Sequence, residues 1–294
     1  MNTLKTFFLM VGLMALFLLI GNVMGGRTGM EYAFLLACGM NIFSYWFSDK
    51  MVLAMYRAKP VPETDDTGLV RTVRRLAHKA SIPMPRVYII ESDVPNAFAT
   101  GRNPQHAAVA ATTGILDILN EHELEGVLGH ELTHVLHRDI LISTIAATFA
   151  GAIMMLRQMA WFGAMFGGLG RRDRENRGGG LELLVVMIVA PLAATLIQLA
   201  ISRSREFDAD KGGAQLTGDP LSLASALSKI SVGNAHAQVP LTTNPATAHL
   251  FICNPLKGEG LMALFSTHPP TAERIRRLEA MTGASSYKTP QVIY

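Results

Sequence analysis

Residues 130–139 read HELTHVLHRD, a stretch with three histidines and two acidic residues. His130 and His134 flank Glu131 with the spacing H-E-x-x-H. Because side chains four residues apart project from the same side of a helix, the two imidazoles can bind one metal ion together. An apolar run, ILISTIAATFAGAIMML, follows directly. The sequence therefore predicts a metal site at the point where the chain enters an apolar segment.

Zinc is the metal that this set of donors favours. A catalytic zinc has three protein ligands and an open fourth position, and it lowers the pKa of a bound water to about 7. Glu131 is placed to take a proton from that water as a general base. The motif is short and arises by chance in many proteins, where it is only a set of polar side chains on an exposed helix. A third ligand elsewhere in the chain therefore has to support the metal site.

The best candidate for the third ligand is Glu206, within SRSREFDAD at residues 202–210. Asp210 lies one helical turn later on the same face, where it can hold a ligand histidine by its second ring nitrogen. Arg203 can donate to a reacting oxyanion. Because it lies three residues before Glu206, it can equally form an ordinary helix salt bridge. Either acidic residue alone would be a surface charge, but the pair follows an apolar run and indicates a site.

The motif lies within a strongly periodic helical segment. Asn120 and Glu123 have the spacing of an N-cap and the third residue of a helix, which is typical of a capping box. Five apolar residues share one arc of the helical wheel: Leu124, Leu128, Leu132, Val135 and Leu136. We expect the helix to bury this face and to present both histidines from its side.

The composition indicates membrane spans and excludes several classes of site. The 294-residue chain is 49% hydrophobic and only 17% charged, whereas soluble domains are about 25% charged. The net charge of +3 is small, and no Lys/Arg block is interleaved with aromatic residues, which argues against nucleic acid as a partner. Cys38 and Cys253 form no CxxC pair, so neither a disulfide framework nor a cysteine zinc site is expected.

The apolar runs divide the chain into four parts. Residues 1–48 contain two runs, the first long enough to span a bilayer, and predict an uncleaved transmembrane hairpin. Residues 49–139 have a globular composition and form the first part of a catalytic domain. Residues 140–201 contain two more apolar runs and predict an inserted hairpin, which either crosses the membrane or stops near its interface. Residues 202–294 complete the catalytic domain and carry the third metal ligand.

Local patterns in the globular parts predict both helices and strands. Residues 69–80 have helical periodicity, and three segments predict strands: PRVYIIES, NAFATG and HAAVAATTGIL. Helices are also expected across SRSREFDADKGGAQLTG and DPLSLASALSKI, and from Thr271 onward. These predictions describe an α+β fold.

Taken in order, these elements resemble the HtpX-type membrane zinc metalloproteases, which are relatives of the CAAX prenyl endopeptidases. The resemblance rests on HELTHVLHRD, SRSREFDAD, FSTHPPTAERI, PNAFATG and the apolar runs, and it covers nearly the whole chain. It implies an α+β membrane protein with a mostly helical gluzincin-type domain and a small β-sheet. It also implies two N-terminal transmembrane helices and a second apolar hairpin inserted between the metal ligands.

The resemblance implies a role for each residue of the metal site. It implies one Zn²⁺ ion bound by His130, His134 and Glu206. Glu131 matches the general base of the family, and Asp210 matches the second acid of its E-x-x-x-D pattern.

Three further residues take roles from the resemblance alone. His268, in STHPP, matches a histidine that is suspected of stabilising the transition state. Asn96 and Ala97 match a segment near the edge strand that binds substrate. The main chain of that segment can pair with an extended peptide.

Basic residues predict the orientation in the membrane. Four of them flank the two apolar runs of the first hairpin: Lys5, Lys50, Arg57 and Lys59. The turn of the hairpin has Arg27 alone, so the positive-inside rule places the catalytic domain in the cytoplasm. Four arginines between residues 171 and 177 argue the other way for the second hairpin.

The function implied by the resemblance is proteolytic quality control at the bacterial cytoplasmic membrane, as part of a stress response. The partners are then protein substrates, chiefly damaged membrane proteins, and the lipid bilayer. The sequence carries no signal for an oligomeric state. One alternative is an intramembrane-cleaving protease, although NEHELEGVLG is too polar for burial in lipid. The other is a non-catalytic metal-binding scaffold, which would leave Glu131 without a role and lacks an evident fourth ligand.

Overall fold

The computed structural model describes residues 2–65, 67–145, 203–236, 250–253 and 269–286. Most of the predicted inserted hairpin lies outside these ranges, and so does His268. The described part is mostly helical with one small mixed sheet, as the sequence predicts.

Helices and one sheet follow one another along the chain. The helices are α1 (Asn2–Met55), α2 (Gly68–Lys79), α3 (Thr113–Ile118), α4 (Glu121–Leu136), α5 (Arg203–Thr217), α6 (Pro220–His236) and α7 (Thr271–Ser286). The strands are β1 (Lys59–Val61), β2 (Arg86–Ile90), β3 (Ala97–Gly101) and β4 (Ala107–Thr112). Residues 140–145 are also helical.

The sheet has the strand order β1-β2-β4-β3, so that β3 lies at one edge. β2 and β4 are parallel, and the other two pairs are antiparallel. The strands predicted in PRVYIIES and NAFATG are confirmed. The strand predicted across HAAVAATTGIL ends at Thr112, because the Thr112 hydroxyl accepts from the Ile115 N–H and caps helix α3. β1 has three residues and no periodic signal, and it was not predicted.

Both faces of the sheet are buried, since successive side chains of β4 point to opposite faces and all six residues are buried. Val109 faces the main core beneath α2 and α4. Ala108 and Ala110 face the opposite side, where they pack near Val52 and Leu53 at the end of α1. A sheet covered on both faces reads as a continuous apolar run, which is why AAVAAT shows no alternation of polar residues.

The predicted helix of the H-E-x-x-H motif is confirmed with its cap. The Asn120 side chain accepts from the Glu123 N–H, and the Glu123 carboxylate accepts from the Asn120 N–H. Leu128 and Leu132 are fully buried. Leu136, at the end of the same arc, is 39% exposed.

α4 and α5 pack closely because glycines lie where they meet. An ideal Cβ on Gly213 of α5 would lie 2.6 Å from the backbone nitrogen of His130. Gly129 of α4 lies opposite, where an added Cβ would be 3.2 Å from the Gly213 carbonyl oxygen. This approach brings the side chains of α5 within reach of the two histidines.

α1 folds back on itself at Gly25 and Gly26, where Gly26 has a φ of 58°. The two arms return side by side, and the Asn41 amide donates to the Met10 carbonyl at 3.5 Å. The first arm also packs on the helical residues 140–145. Within the described residues, no helix combines the length and the sustained apolar character that a membrane crossing requires.

Replacing Gly213 with alanine should separate α5 from α4. The new methyl group would meet the backbone of His130, which cannot rotate away. We expect a loss of about 1–3 kcal/mol in the free energy of unfolding, together with weaker zinc binding. Gly68→Ala is the control, because a Cβ on Gly68 meets nothing within 4 Å. Equal stability of the two variants in thermal unfolding would contradict the close packing.

Candidate metal centre

Helices α4 and α5 bring the three predicted ligands together. His130 Nε2 lies 3.7 Å from Glu206 Oε2, and His134 Nε2 lies 3.6 Å from Glu206 Oε1. One donor atom from each residue lies within 4.8 Å of the other two. Zinc bonds of about 2.1 Å at tetrahedral angles place two donors about 3.4 Å apart. The donor atoms therefore fit a zinc ion.

The second ring nitrogen of each histidine contacts a carboxylate. His130 Nδ1 lies 2.9 Å from Asp210 Oδ1, as the sequence predicts for Asp210. His134 Nδ1 lies 3.3 Å from Asp139 Oδ2, in the same motif. A carboxylate at Nδ1 favours the tautomer with its proton on that atom, which leaves Nε2 free to bind a metal.

Arg274 on α7 holds the carboxylate that contacts His130. Its Nε and Nη2 donate to the two oxygens of Asp210 at 2.8 and 2.7 Å, a bidentate pair. Burial alone would raise the pKa of Asp210, but the charge and hydrogen bonds of Arg274 lower it to about 2. Asp210 is therefore ionised throughout the neutral range.

Arg274 was not predicted as a site residue, although the sequence held a signal for it. Arg274 is buried on α7, and Leu278, one turn later on the same arc, is buried too. An arginine on the core-facing arc of a helix needs a carboxylate partner, because an unpaired buried charge is strongly unfavourable.

The buried charges around the site favour the binding of a cation. Four carboxylates are buried there: Glu131, Asp139, Glu206 and Asp210. Among the described residues, two buried guanidinium groups face them: Arg205 and Arg274. With the four carboxylates ionised and both histidines neutral, as metal binding requires, two negative charges are left, which a divalent ion would offset. Burial alone would lower the pKa of His134, but Asp139 and Glu206 raise it to about 9, the effect of a site that favours positive charge.

Glu131 is buried beside the cluster and held at one oxygen. Its Oε2 accepts from the Ala99 N–H of β3 at 2.9 Å. Burial raises the pKa of the Glu131 carboxyl above its usual range. The cleft around it is lined by residues of α4, α5, β3, the helical residues 140–145 and the 250–253 segment, including Phe98, Ile140 and Phe251. Its volume of about 40 Å³ is room for a water molecule or two.

Asn96 and Ala97 lie at the start of the edge strand. The Asn96 side chain is buried and accepts from the Ile252 N–H at 3.1 Å, so it holds the 250–253 segment over the cleft. Ala97 is fully buried and pairs with Ala111 of β4. The substrate-binding role of this segment stays a prediction.

The remaining predicted residues take different positions. Arg203 is exposed at the start of α5. Arg205 instead turns toward the site, with its Nη1 3.7 Å from Asp139 Oδ1. His268 lies outside the described residues, and its role, like that of Arg203, stays a prediction.

The family model of Peptidase family M48 matches residues 63–282. The chain belongs to peptidase family M48. Two relatives are 58% identical to it: the protease HtpX homologs of Ralstonia pickettii, over 290 residues, and of Thermodesulfovibrio yellowstonii, over 282 residues. These alignments cover 97% and 96% of this chain, and 99% of each relative. The predicted resemblance is therefore confirmed, and the chain is a metallopeptidase.

A solved structure of low sequence identity shares the fold. The crystal structure of Ste24p from S. mikatae aligns with a TM-score of 0.50 and 15% identity. The alignment covers 90% of this chain and 62% of Ste24p. At this identity the comparison shows the M48 fold alone.

Asp210→Asn should weaken zinc binding by this M48 peptidase about 10–100-fold. An amide that donates to His130 Nδ1 would shift the ring proton to Nε2, the atom that faces the predicted metal position. Zinc affinity is measured by competition with a chelator. Asp208→Asn is the control, because Asp208 lies on the same helix and is exposed. Equal zinc affinity in the two variants would show that Asp210 does not orient His130.

Proposed function

We propose that this chain is a zinc endopeptidase of a bacterial cytoplasmic membrane. In this proposal its catalytic domain faces the cytoplasm and cleaves misfolded or damaged membrane proteins. The cluster of His130, His134 and Glu206, with the buried Glu131 beside it, carries the proposal. When bound, zinc lowers the pKa of water and polarises the scissile carbonyl.

The residues of the cluster divide the work of peptide hydrolysis. His130 and His134 present Nε2 because Asp210 and Asp139 hold their Nδ1 atoms. Glu131 takes the proton of the attacking water at Oε1 and passes it to the leaving amine. The Ala99 N–H keeps its other oxygen in place.

The edge strand supports an extended peptide as substrate. In an antiparallel pair, the backbone groups of successive residues point alternately toward the partner strand and away from it. The Ala99 N–H points away from β4, toward Glu131. The backbone groups of Ala97 and Gly101 then share this direction, so a substrate strand could pair here in register with the general base.

The surface of α1 supports placement in a membrane. Large apolar side chains on both arms are exposed, among them Phe8, Leu19, Leu35, Leu36 and Ile42. A lipid environment would cover these side chains, whereas water would not. Lys50 lies near the end of the second arm and Arg57 follows it, which agrees with a cytoplasmic catalytic domain.

Glu131→Gln should abolish peptide cleavage and leave zinc bound, because glutamine cannot accept the proton while the three ligands are unchanged. The measurement is zinc content together with cleavage of an unfolded test protein in detergent. Glu121→Gln, on the exposed first turn of the same helix, should retain full activity. Undiminished cleavage by Glu131→Gln would exclude Glu131 as the general base. A zinc-loaded wild-type protein that cleaves nothing would favour a metal-binding scaffold.

Proteomics of membranes tests the proposed substrate class. Cells with the Glu131→Gln form should accumulate membrane proteins that cells with the active form remove. Accumulation of soluble proteins alone would contradict membrane quality control.

A further inference from the structure

A second cavity lies between the end of α1 and the sheet, and it shares no lining residue with the metal centre. Its volume is about 560 Å³. α1 contributes residues 45–50, and the region of β2, β3 and β4 contributes the opposite wall with Arg86 and Arg102. The metallopeptidase reaction described above makes no use of this cavity.

The charge of this cavity is positive. Three basic side chains line it, Lys50, Arg86 and Arg102, against the single carboxylate of Asp49. Arg86 pairs with Asp49 at 2.7 Å and so uses that carboxylate. Within the described ranges, Lys50 and Arg102 make no ion pair with a carboxylate, and their charges remain available for an anion.

Aromatic rings hold the two available charges at the cavity. The Arg102 guanidinium lies 4.4 Å from the centre of the Trp46 ring, and Lys50 Nζ lies 5.4 Å from that of Phe47. A stacked guanidinium keeps its N–H groups directed outward, where they can donate to phosphate oxygens. Tyr45 and Trp46 have the apolar body and polar edge that are typical of the boundary between membrane and water.

The exposed apolar face of α1 leads directly to this cavity. Ile42 is 63% exposed and Phe43 is 47% exposed, one turn before Trp46 and Phe47. A lipid lying against this arm would therefore have its headgroup at the level of Lys50 and Arg102.

We infer that this cavity binds the headgroup of an anionic phospholipid. The phosphate is held by Arg102 and Lys50, and the acyl chains lie along the exposed face of α1. An acidic peptide would use the charges but would leave that apolar face uncovered, so an amphiphile fits the surface better. The inference rests on the proposed membrane placement of α1.

A lipid bound by Arg102 would also affect the catalytic domain. Arg102 directly follows β3, the strand whose Ala99 N–H holds Glu131. A phospholipid bound by Arg102 would fix the end of the proposed substrate-binding strand at the membrane surface.

Quenching of Trp46 fluorescence tests the inference. The chain has two tryptophans, so the Trp161→Phe form of the full-length protein reports on Trp46 alone. It is reconstituted into nanodiscs of phosphatidylcholine that contain a small fraction of brominated phosphatidylglycerol or brominated phosphatidylcholine. We expect the anionic lipid to quench Trp46 about 30-fold more strongly at low and equal mole fraction, the combined effect of two basic residues that each contribute about fivefold near an anionic headgroup.

The two lipids separate failure of the inference from failure of the proposed function. Equal quenching by both would place Trp46 in lipid without a headgroup preference, which overturns the inference and leaves the membrane placement standing. No quenching by either would show that α1 does not contact lipid, and both proposals would fail.

Variants of the same form test the residues. Arg102→Gln and Lys50→Gln should each remove most of the preference for the anionic lipid, and Asp49→Asn should increase it by removing the competing charge. Arg276→Gln is the control, because Arg276 is an exposed arginine on α7 away from the cavity. Loss of the preference in the control, or its full retention in both of the first two variants, would overturn the assignment.

Soluble competitors identify the source of the anion. Inorganic phosphate and a poly-glutamate peptide, each in millimolar excess, should leave the quenching by the brominated anionic lipid unchanged. Displacement by phosphate would assign the cavity to a free anion, and displacement by the peptide would assign it to an acidic protein segment. Either result would overturn the inference.

Discussion

The buried ion pair between Arg274 and Asp210 joins the elements that build the metal centre. Arg274 belongs to α7, Asp210 to α5, and the imidazole that Asp210 holds belongs to α4. Arg274 also donates to the Ile252 carbonyl, which ties the 250–253 segment to the same point. Removing one partner of such a pair costs about 3–5 kcal/mol, because the other charge is left buried. The position of His130 therefore depends on a helix more than a hundred residues away in sequence.

Charge and packing act together at this site. The glycine contact between α4 and α5 brings Glu206 up to the two histidines, and this approach also concentrates buried carboxylates. Arg205 and Arg274 offset part of that charge, and a divalent ion would offset the rest. In this account the metal contributes to the stability of the helix pair as well as to the reaction, because a carboxylate cluster without a cation is unfavourable.

The sequence predicted what local patterns determine. The capping box gave the start of α4, its periodicity gave the direction of its histidines, and the order of motifs gave Glu206. Arg274 was not predicted as a site residue because its partner lies 64 residues away, and no local pattern indicates such a pairing. Arg203 and Arg205 could not be told apart, because the burial of an arginine on α5 depends on how the helix is rotated against α4. The strand predicted across HAAVAATTGIL ran past the end of β4, because Thr113 and Ile115 of α3 are β-branched residues that favour strands.

X-ray absorption at the zinc edge of the purified protein tests whether these three side chains hold the ion. We predict one zinc per chain with two imidazole ligands and a carboxylate oxygen, and loss of this spectrum in Glu206→Gln. A sulfur ligand, a third imidazole in place of the carboxylate, or an unchanged spectrum in Glu206→Gln would contradict it.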